Sequence, residues 1–317
     1  MNRITVVGSG IIGLTSALEL QNAGFDVRIV AKNRHKNTLS NKVGAIWFPF
    51  AVSPVEKATV WATAAYYHYQ REIRPGNGVA FIPFITAYSP TSDTSWTKQL
   101  PDGKVREARQ DELPPGISAA LVAEVPLAEP HLYLPHLFAR FVANGGILEV
   151  EHVNSLQQLS ALDELVINCT GLGSIELCND TEMQPMRGQI LRCKKMDLPS
   201  FADATRKGAL SYVINRQEDC IVGGTDYEND WNESVEQSDT DLILKRLNSH
   251  SPNGNTPQIL ETLVGLRPKR SAIRFAFDPD YHNVFHNYGH GGAGFTVGWG
   301  CAIELARTIS TRSQALL

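Results

Sequence analysis

Residues 4–13 of the chain read ITVVGSGIIG, a short apolar run that ends in three spaced glycines. The β-branched run Ile4–Val7 is typical of a strand buried on both faces. Glycines then follow with the spacing Gly-x-Gly-x-x-Gly, and apolar residues recur at helical spacing as far as Leu18. A second strand-like run lies at Val27–Val30. The sequence therefore predicts a βαβ unit of the dinucleotide-binding kind.

The three glycines of this motif have separate predicted tasks. Gly8 permits a tight turn after the strand, Gly10 lets the backbone approach a pyrophosphate, and Gly13 lets the helix pack closely on the strand. An acidic residue is expected about twenty residues later, where it would contact the ribose, but the chain has Lys32 and Asn33 there. Because Lys32 can attract a phosphate, this segment alone leaves NADP as an alternative.

Composition narrows the class of protein. The chain has 317 residues, which suits about two domains, and its 43% hydrophobic and 20% charged residues are typical of a globular protein. Its net charge is −4 and its basic residues form no stripe, so we expect no nucleic-acid partner. No apolar run reaches the ~18 residues of a spanning helix, so we expect no membrane association.

The cysteines and histidines predict a reduced protein without a metal. Five scattered cysteines form no Cys-x-x-Cys pair, which indicates a reducing compartment and, with no signal peptide recognised, a cytoplasmic location. His282, His286 and His290 are spaced by four, which on a helix would suggest metal ligands. The residues between them favour a strand and a turn, so we predict no metal site.

A second glycine cluster lies near the end of the chain. Residues 286–296 read HNYGHGGAGFT and lead into a helix rich in Ala, Leu and Ile. Glycines at a helix start form an anion site, and a helix N-terminus stabilises the negative charge of a reduced flavin. Together the two clusters favour a cofactor with both a pyrophosphate and an electron-accepting ring.

Eight segments give the chain a resemblance to the D-amino-acid oxidase family of FAD enzymes, which includes D-aspartate oxidase. They are the first glycine motif, VGAIWFPF (43–50), VINCTG (166–171), MRGQIL (186–191), YVINR (212–216), GGTDYENDW (223–231), GLRPKRSAIR (265–274) and HNYGHGGAGFTVGWG (286–300). The resemblance implies an α/β fold with a Rossmann-like βαβ FAD-binding domain and a substrate domain on a mainly antiparallel sheet. The predicted FAD-binding domain comprises residues 1–75, 130–184 and 258–317, and the substrate domain comprises residues 76–129 and 185–257.

The resemblance also implies the reaction and the cofactor. A D-amino acid would be oxidised by hydride transfer from its α-carbon to N5 of non-covalently bound FAD, and dioxygen would accept the electrons as hydrogen peroxide. The imino acid would hydrolyse to a keto acid and ammonia. The residues predicted to bind FAD are Gly8, Ser9, Gly10, Ile11, Ile12, Gly13, Ala31, Lys32, Asn33, Ser40, Gly44, Ala45, Ile46, Trp47, Val153, Thr170, Gly171, Arg274, Gly291, Ala293, Gly294, Phe295 and Thr296.

Substrate-site residues follow from the same resemblance. Arg267 would clasp the substrate carboxylate with its planar guanidinium, Tyr212 would donate a hydrogen bond to it, and the Gly292 carbonyl would accept from the amine. Phe48 and Ile46 suggest an apolar side-chain pocket, which favours neutral over acidic D-amino acids.

One position departs from the family. Where some members have a second active-site tyrosine after Gly-Gly-Thr, this chain has Asp226 and then Tyr227. Since a shift of one residue along a strand turns a side chain to the other face, Tyr227 is a candidate whose orientation decides its role. Asp226 would either repel acidic substrates or be solvated.

Alternatives stay open on the sequence alone. D-Aspartate oxidation is the closest one, followed by a nicotinamide-dependent dehydrogenase and by a catalytically silent nucleotide-binding protein. A homodimer is also an expectation.

Overall fold

The computed structural model describes residues 3–49, 52–163, 165–206, 208–251 and 257–315; Phe50, in the segment 43–50, lies outside these ranges. The helices are α1 (Ile11–Asn22), α2 (Val55–Glu72), α3 (Pro130–Ala143), α4 (Leu156–Ser160), α5 (Ser174–Cys178), α6 (Gln237–Asn248) and α7 (Gly294–Ala315). The strands are β1 (Arg3–Val7), β2 (Asp26–Ala31), β3 (Val79–Ala87), β4 (Val105–Glu107), β5 (Ala120–Ala128), β6 (Ile147–Val150), β7 (Leu165–Asn168), β8 (Gln184–Lys194), β9 (Phe201–Asp203), β10 (Ser211–Asn215), β11 (Asp219–Gly223), β12 (Tyr227–Glu228), β13 (Ile259–Phe277) and β14 (Val284–His290).

The predicted βαβ unit forms the centre of a parallel sheet. Strand β1 pairs in parallel with β2 on one side and with β7 on the other, while β6 and β14 lie outside them. The side chains of Ile4, Val6 and Ile29 are buried in the core beneath α1 and α7. Apolar residues on both faces of these strands explain why the sheet is covered by helices.

A second, mainly antiparallel part of the sheet has the order β4-β5-β3-β9-β10-β11-β8-β13. Strand β13 belongs to both parts: Ile259–Lys269 pairs with β8, and Lys269–Phe277 pairs with β14. The predicted fold class, with a parallel nucleotide-binding sheet and an antiparallel second sheet, is confirmed. The domain boundaries stay a prediction; the boundary at residue 258 falls next to a strand that is shared by both sheets.

The helical layer packs closely at glycines. A Cβ on Gly300 of α7 would lie 2.1 Å from the carbonyl oxygen of Trp61 in α2, so the backbones of these helices are in contact. In the ranges that the structure describes, every helix is either too short or too polar to cross a bilayer.

Candidate active site

The first glycine motif has the geometry that its predicted tasks require. Gly8 has a φ of +117°, and a Cβ there would lie 2.5 Å from the carbonyl oxygen of Cys169. A Cβ on Gly13 would lie 1.9 Å from the carbonyl oxygen of Gly8, so α1 rests directly on the turn. At Gly10 the nearest atom is the Ser40 hydroxyl oxygen, which accepts a hydrogen bond from the Ile11 N–H at 3.0 Å. The predicted contact residue Ser40 therefore lies at the start of α1.

The two glycine clusters predicted from opposite ends of the chain meet in space. A Cβ on Gly294, the first residue of α7, would lie 3.2 Å from Cγ2 of Ile11 and 3.9 Å from Cδ1 of Ile12. One turn later, the Thr15 hydroxyl lies 3.4 Å from the Gly298 carbonyl oxygen. The N-termini of α1 and α7 therefore lie side by side, which brings their unpaired N–H groups to one region.

Residues 44–48 pass beside these helix starts. The Thr296 hydroxyl lies 3.1 Å from both the N–H and the carbonyl of Phe48, which fixes that backbone to the first turn of α7. On the other side, the Ala45 carbonyl accepts from the Ala128 N–H at 3.1 Å, and the Trp47 indole donates to the Ala62 carbonyl at 2.9 Å. The segment is therefore held from both sides between α7 and the antiparallel sheet.

Apolar side chains line the sheet next to this segment. The ring of Phe48 lies 4.9 Å from that of Trp96 and 6.1 Å from that of Phe84, measured between centroids. Ile46 belongs to the same cluster, and a Cβ on Gly44 would lie 2.5 Å from Cδ1 of Ile214. The predicted apolar pocket residues are therefore close to each other.

Arg267 lies flat on a glycine of the neighbouring strand. A Cβ on Gly188 would lie 2.3–2.5 Å from Cζ, Nη1 and Nη2 of Arg267. A Cβ on Gly292 would lie 3.5 Å from its Cδ, and its Nη1 donates to the Thr225 carbonyl at 3.1 Å. Gly291 is tied to the same strand, because its N–H donates to the Pro268 carbonyl at 2.8 Å. The glycine cluster and the predicted carboxylate-binding arginine are thus adjacent.

Tyr212 shares this face of the sheet. Its hydroxyl would be 2.3 Å from a Cβ on Gly223, the residue directly opposite it on β11. Burial raises the pKa of Tyr212, whereas the charge of Arg267 and a hydrogen bond with it lower the pKa, and Asp226 raises it again. The net shift is upward, so the phenol is a hydrogen-bond donor at neutral pH. Arg267 and Tyr212 therefore form one positive, donor-rich spot.

Tyr227 is not brought to this spot. Its hydroxyl lies 2.7 Å from Oδ1 of Asp239 on α6, and its ring lies beneath the guanidinium of Arg187. Cross-strand partners project to the same side, and Tyr227 pairs with Arg187, whereas Arg267 pairs with Met186, one residue earlier. Since side chains alternate along a strand, Tyr227 lies on the sheet face opposite Arg267. Its assignment to the substrate site stays a prediction that the geometry does not support.

A buried arginine that sequence reasoning missed lies behind the site. Arg187 is 1% exposed; it pairs with Asp239 at 2.5 Å and donates to the carbonyls of Asn232 and Ser234. Its place in MRGQIL, next to Gly188, was the only sequence signal for it. It fixes β8 and the 229–236 loop on the far side of the sheet.

The remaining predicted cofactor residues lie at the ends of the parallel strands. Ser9 is buried and its hydroxyl donates to the Asn33 carbonyl at 2.5 Å, which places Asn33 beside the glycine turn. Ala31 ends β2, Lys32 is exposed, and Val153 is buried in the cluster that contains Val7 and Val30.

Four further cofactor candidates follow strands β7 and β14. The Thr170 hydroxyl lies 2.8 Å from Oδ1 of Asn168, and Gly171 has a φ of +57° beside Pro268. Ala293 and Phe295 are buried where α7 begins. These residues surround the same edge of the sheet as the glycine clusters.

Arg274 is engaged elsewhere in the structure. Its guanidinium donates to the Tyr288 hydroxyl at 2.8 Å and lies 3.3 Å from Asp278. Asn287, which precedes Tyr288 on β14, projects to Ser16 of α1, so the side chain of Tyr288 lies on the opposite face, away from α1. Arg274 pairs with Tyr288 across the strands and lies on that same face. The prediction that Arg274 contacts the flavin stays untested.

The histidines at 286 and 290 do not form a metal site. His286 lies in β14, where its ring nitrogens are 3.1 Å from Asn168 and 2.9 Å from Asp278. Burial lowers the pKa of His290 to about 3, so this ring is neutral. Across the described ranges no three His, Cys, Asp or Glu side chains are grouped to hold a metal ion.

Comparison with known proteins identifies the family. The model of the FAD dependent oxidoreductase (DAO) family matches residues 3–308. The chain belongs to this family. It is 34% identical to D-amino-acid oxidase of Rubrobacter xylanophilus over 96% of the chain and 94% of that protein. It is 35% identical to D-amino-acid oxidase of Dictyostelium discoideum over 99% of the chain and 93% of that protein. It is 28% identical to human D-aspartate oxidase over 99% of the chain and 96% of that protein.

Solved structures agree on the fold. L-Proline dehydrogenase from P. horikoshii superposes with a TM-score of 0.81 at 15% identity, covering 98% of this chain and 94% of that protein. At this identity the likeness concerns the fold alone. The predicted family and the predicted FAD cofactor are confirmed by the family match.

The two glycine clusters at the starts of α1 and α7 fit FAD. A Cβ on Gly294 would lie only 3.2 Å from Cγ2 of Ile11, so the starts of α1 and α7 are in contact and the N–H groups of both helix starts can serve one anionic cofactor. A nicotinamide-dependent dehydrogenase is not favoured, because the second helix start beside the first provides for a flavin ring as well as for a pyrophosphate.

Proposed function

We propose that this chain oxidises neutral D-amino acids to imino acids, with dioxygen as the electron acceptor. The single observation that supports this substrate class is the placement of Arg267 and Tyr212 against Gly188 and Gly223, where Tyr212 also packs on the apolar cluster of Phe48, Phe84 and Trp96, the apolar wall of the site. One end of the site thus binds a carboxylate, and the other accommodates an uncharged side chain.

FAD, when bound, supplies the electron-accepting ring for this oxidation. Arg267 and Tyr212 hold the substrate carboxylate with charge-assisted hydrogen bonds. The Gly292 carbonyl, next to the Arg267 side chain, accepts from the substrate amine and so fixes which face of the α-carbon is presented. Phe48, Phe84 and Trp96 exclude water from the reacting carbon. Tyr212 keeps its proton, because its pKa is raised by burial, and it acts as a donor only.

Replacing Arg267 tests this proposal. In Arg267→Ala we expect kcat/KM for D-norleucine to fall at least about a hundredfold, because a charged bidentate contact is lost. FAD content, read from the absorbance of the purified protein, should remain at the wild-type level, because Arg267 contacts the substrate and not the nucleotide turn. Arg267→Lys keeps the charge without the planar fork and should give an intermediate loss.

Peroxide production is the direct measurement for the activity. A panel of D- and L-amino acids with peroxide detection should show turnover of D-isomers and none of L-isomers, with neutral side chains oxidised faster than acidic ones. Oxidation of D-aspartate above D-norleucine would favour the D-aspartate oxidase alternative, and unchanged turnover in Arg267→Ala would remove the role of that residue.

We also propose that the chain acts as a cytoplasmic homodimer. Val60 and Tyr67, seven residues apart on one face of α2, are 63% and 44% exposed. Sedimentation analysis should give twice the mass of 34.9 kDa, and a single-chain mass would contradict the dimer. Fractionation of cells that produce the protein tests the location.

A further inference from the structure

Asp226 is a charged side chain at the mouth of the candidate site that no role yet explains. It is exposed, and within the described ranges its carboxylate has neither a hydrogen bond nor an ion pair. It directly follows Thr225, whose carbonyl accepts from Nη1 of Arg267 at 3.1 Å. The covalent path from that oxygen to the Asp226 Cα is about 4 Å. The Asp226 Cα therefore lies within roughly 7 Å of the Arg267 guanidinium.

The register of β12 indicates on which face of the sheet Asp226 lies. Tyr227, the next residue, points to Asp239 on the opposite face. Glu228 pairs across the strands with Met186, which is also the partner of Arg267, and the Glu228 carboxylate is paired with Lys269. Strand β12 begins at Tyr227, and continuing its alternation one residue back places Asp226 on the face of Glu228 and Arg267.

The electrostatics at Tyr212 agree with this placement. Burial is the largest cause of the raised pKa of Tyr212; Arg267 opposes it, and the negative charge of Asp226 raises it further. The carboxylate of Asp226 is therefore within Coulomb range of the hydroxyl that faces the substrate.

The neighbouring charges leave Asp226 uncompensated once a substrate is bound. Lys269 is paired with Glu228. Arg246 is engaged with the carbonyls of Gly208, Leu210 and Gly224. Arg267 would be neutralised by the α-carboxylate of the substrate. Among the residues that the structure describes, an amino acid in this site therefore meets one negative charge without a partner.

We propose that Asp226 forms a subsite for a cationic substrate side chain, so that D-lysine-like amino acids are good substrates alongside neutral ones and D-glutamate-like amino acids are rejected. This rests on the proposed binding of the carboxylate by Arg267. An extended lysine side chain spans about 6 Å, so its ammonium can reach a carboxylate this close to Arg267. Its methylenes can pack on the apolar wall, as long cationic side chains commonly do.

Three substrates of the same length test the charge selectivity on the holoenzyme. They are D-norleucine, D-lysine and D-2-aminoadipate, which differ in having a neutral, a positive or a negative end. In Asp226→Asn we expect kcat/KM for D-lysine to fall about fivefold, and that for D-2-aminoadipate to rise by about the same factor. The value for D-norleucine should change by less than about twofold.

Binding of non-oxidisable carboxylates gives a readout independent of turnover. Hexanoate, 6-aminohexanoate and adipate present the same three ends, and their dissociation constants can be measured by calorimetry. The Asp226→Asn exchange should weaken the binding of 6-aminohexanoate, strengthen the binding of adipate and leave the binding of hexanoate unchanged. Glu233→Gln is the matched control, because it removes the same charge from an exposed residue of the following loop. This control should leave the three kcat/KM values and the three dissociation constants at the wild-type level.

The possible results separate the two proposals. An equal change for all three substrates would overturn the subsite, since it would indicate a structural role or a contact with the α-amine. Unshifted binding of both charged probes would overturn it as well. If the wild-type enzyme does not oxidise D-norleucine, the proposed function fails, and the three carboxylates still decide the role of Asp226 by binding.

Discussion

At the scale of single residues, the absence of a side chain at Gly188 determines the position of Arg267. The guanidinium occupies the place where a Cβ of residue 188 would be, and this contact crosses from β8 to β13. Neither residue reveals the contact on its own. The arginine was predicted through family resemblance, and its support on Gly188 is visible only in the folded sheet.

We predict that Gly188→Ala impairs substrate binding without unfolding the protein. The new methyl group would displace the guanidinium, which is the free end of a flexible side chain, so the unfolding free energy should change by no more than about 1 kcal/mol. KM for D-norleucine should rise about tenfold, because two charge-assisted hydrogen bonds are misplaced. Steady-state kinetics and a thermal melt measure the two effects.

Gly265→Ala provides the comparison for this substitution. Gly265 is the cross-strand partner of Gly188, but a Cβ there would meet Cδ1 of Leu39 at 2.4 Å instead of Arg267. KM should therefore change less than in Gly188→Ala. An equal rise in both variants would show that the strands, and not the arginine, were disturbed.

At the scale of elements, the close crossing of α2 and α7 fixes where α7 begins. Gly300 rests on the backbone of Trp61, and Thr296, one turn earlier, holds Phe48 at the candidate site. The position of the helix start, and with it the second glycine cluster, therefore depends on a contact between two helices that are far apart in sequence.

We predict that Gly300→Ala is strongly destabilising. A Cβ at 2.1 Å from the Trp61 carbonyl oxygen meets backbone, which cannot rotate away, so the helices must separate. The cost should be about 2–3 kcal/mol, measured as a lower urea midpoint.

Gly298→Ala, two residues earlier in the same helix, is the control for this effect. Its Cβ would lie 3.3 Å from Cδ1 of Ile12, which is the movable end of a side chain. The better helix propensity of alanine, worth about 1 kcal/mol, offsets part of that strain. If both variants lost the same stability, the contact with Trp61 would not be the cause.

At the scale of the whole molecule, all five cysteines are free, and their surroundings keep the thiols protonated. Burial raises the pKa of Cys169 and of Cys193 to about 12, and that of Cys178 and of Cys220 to about 11. Burial also raises the pKa of Cys301. Since the thiolate is the nucleophile, these protonated thiols react slowly at neutral pH.

We therefore predict that the native protein keeps all five thiols during peroxide-producing turnover. Thiol titration after turnover should give the same number as before, when both samples are denatured for the assay. Protein unfolded in urea and given the same peroxide should lose thiols, because burial no longer suppresses ionisation. A loss from the native enzyme would show that one of these cysteines becomes accessible during turnover.

The local structural units and the family could be predicted from the order of the amino acids alone. Gly8 and Gly13 act within one strand–turn–helix unit, and their spacing reflects a steric need between neighbouring elements, so ITVVGSGIIG was sufficient to predict them. The cofactor followed from the motifs at both ends of the chain, and the family match confirmed it.

The contacts between side chains of distant segments could not be predicted in this way and are seen only in the folded chain. Tyr227 illustrates the reason: it was a site candidate, yet its face depends on the register of β12 against β8, and a shift of one residue reverses it. The support of Arg267 by Gly188, the buried pair of Arg187 with Asp239, and the orientation of Asp226 depend on pairings between distant segments. Such pairings are fixed by packing across the sheet, so no local pattern in the sequence records them.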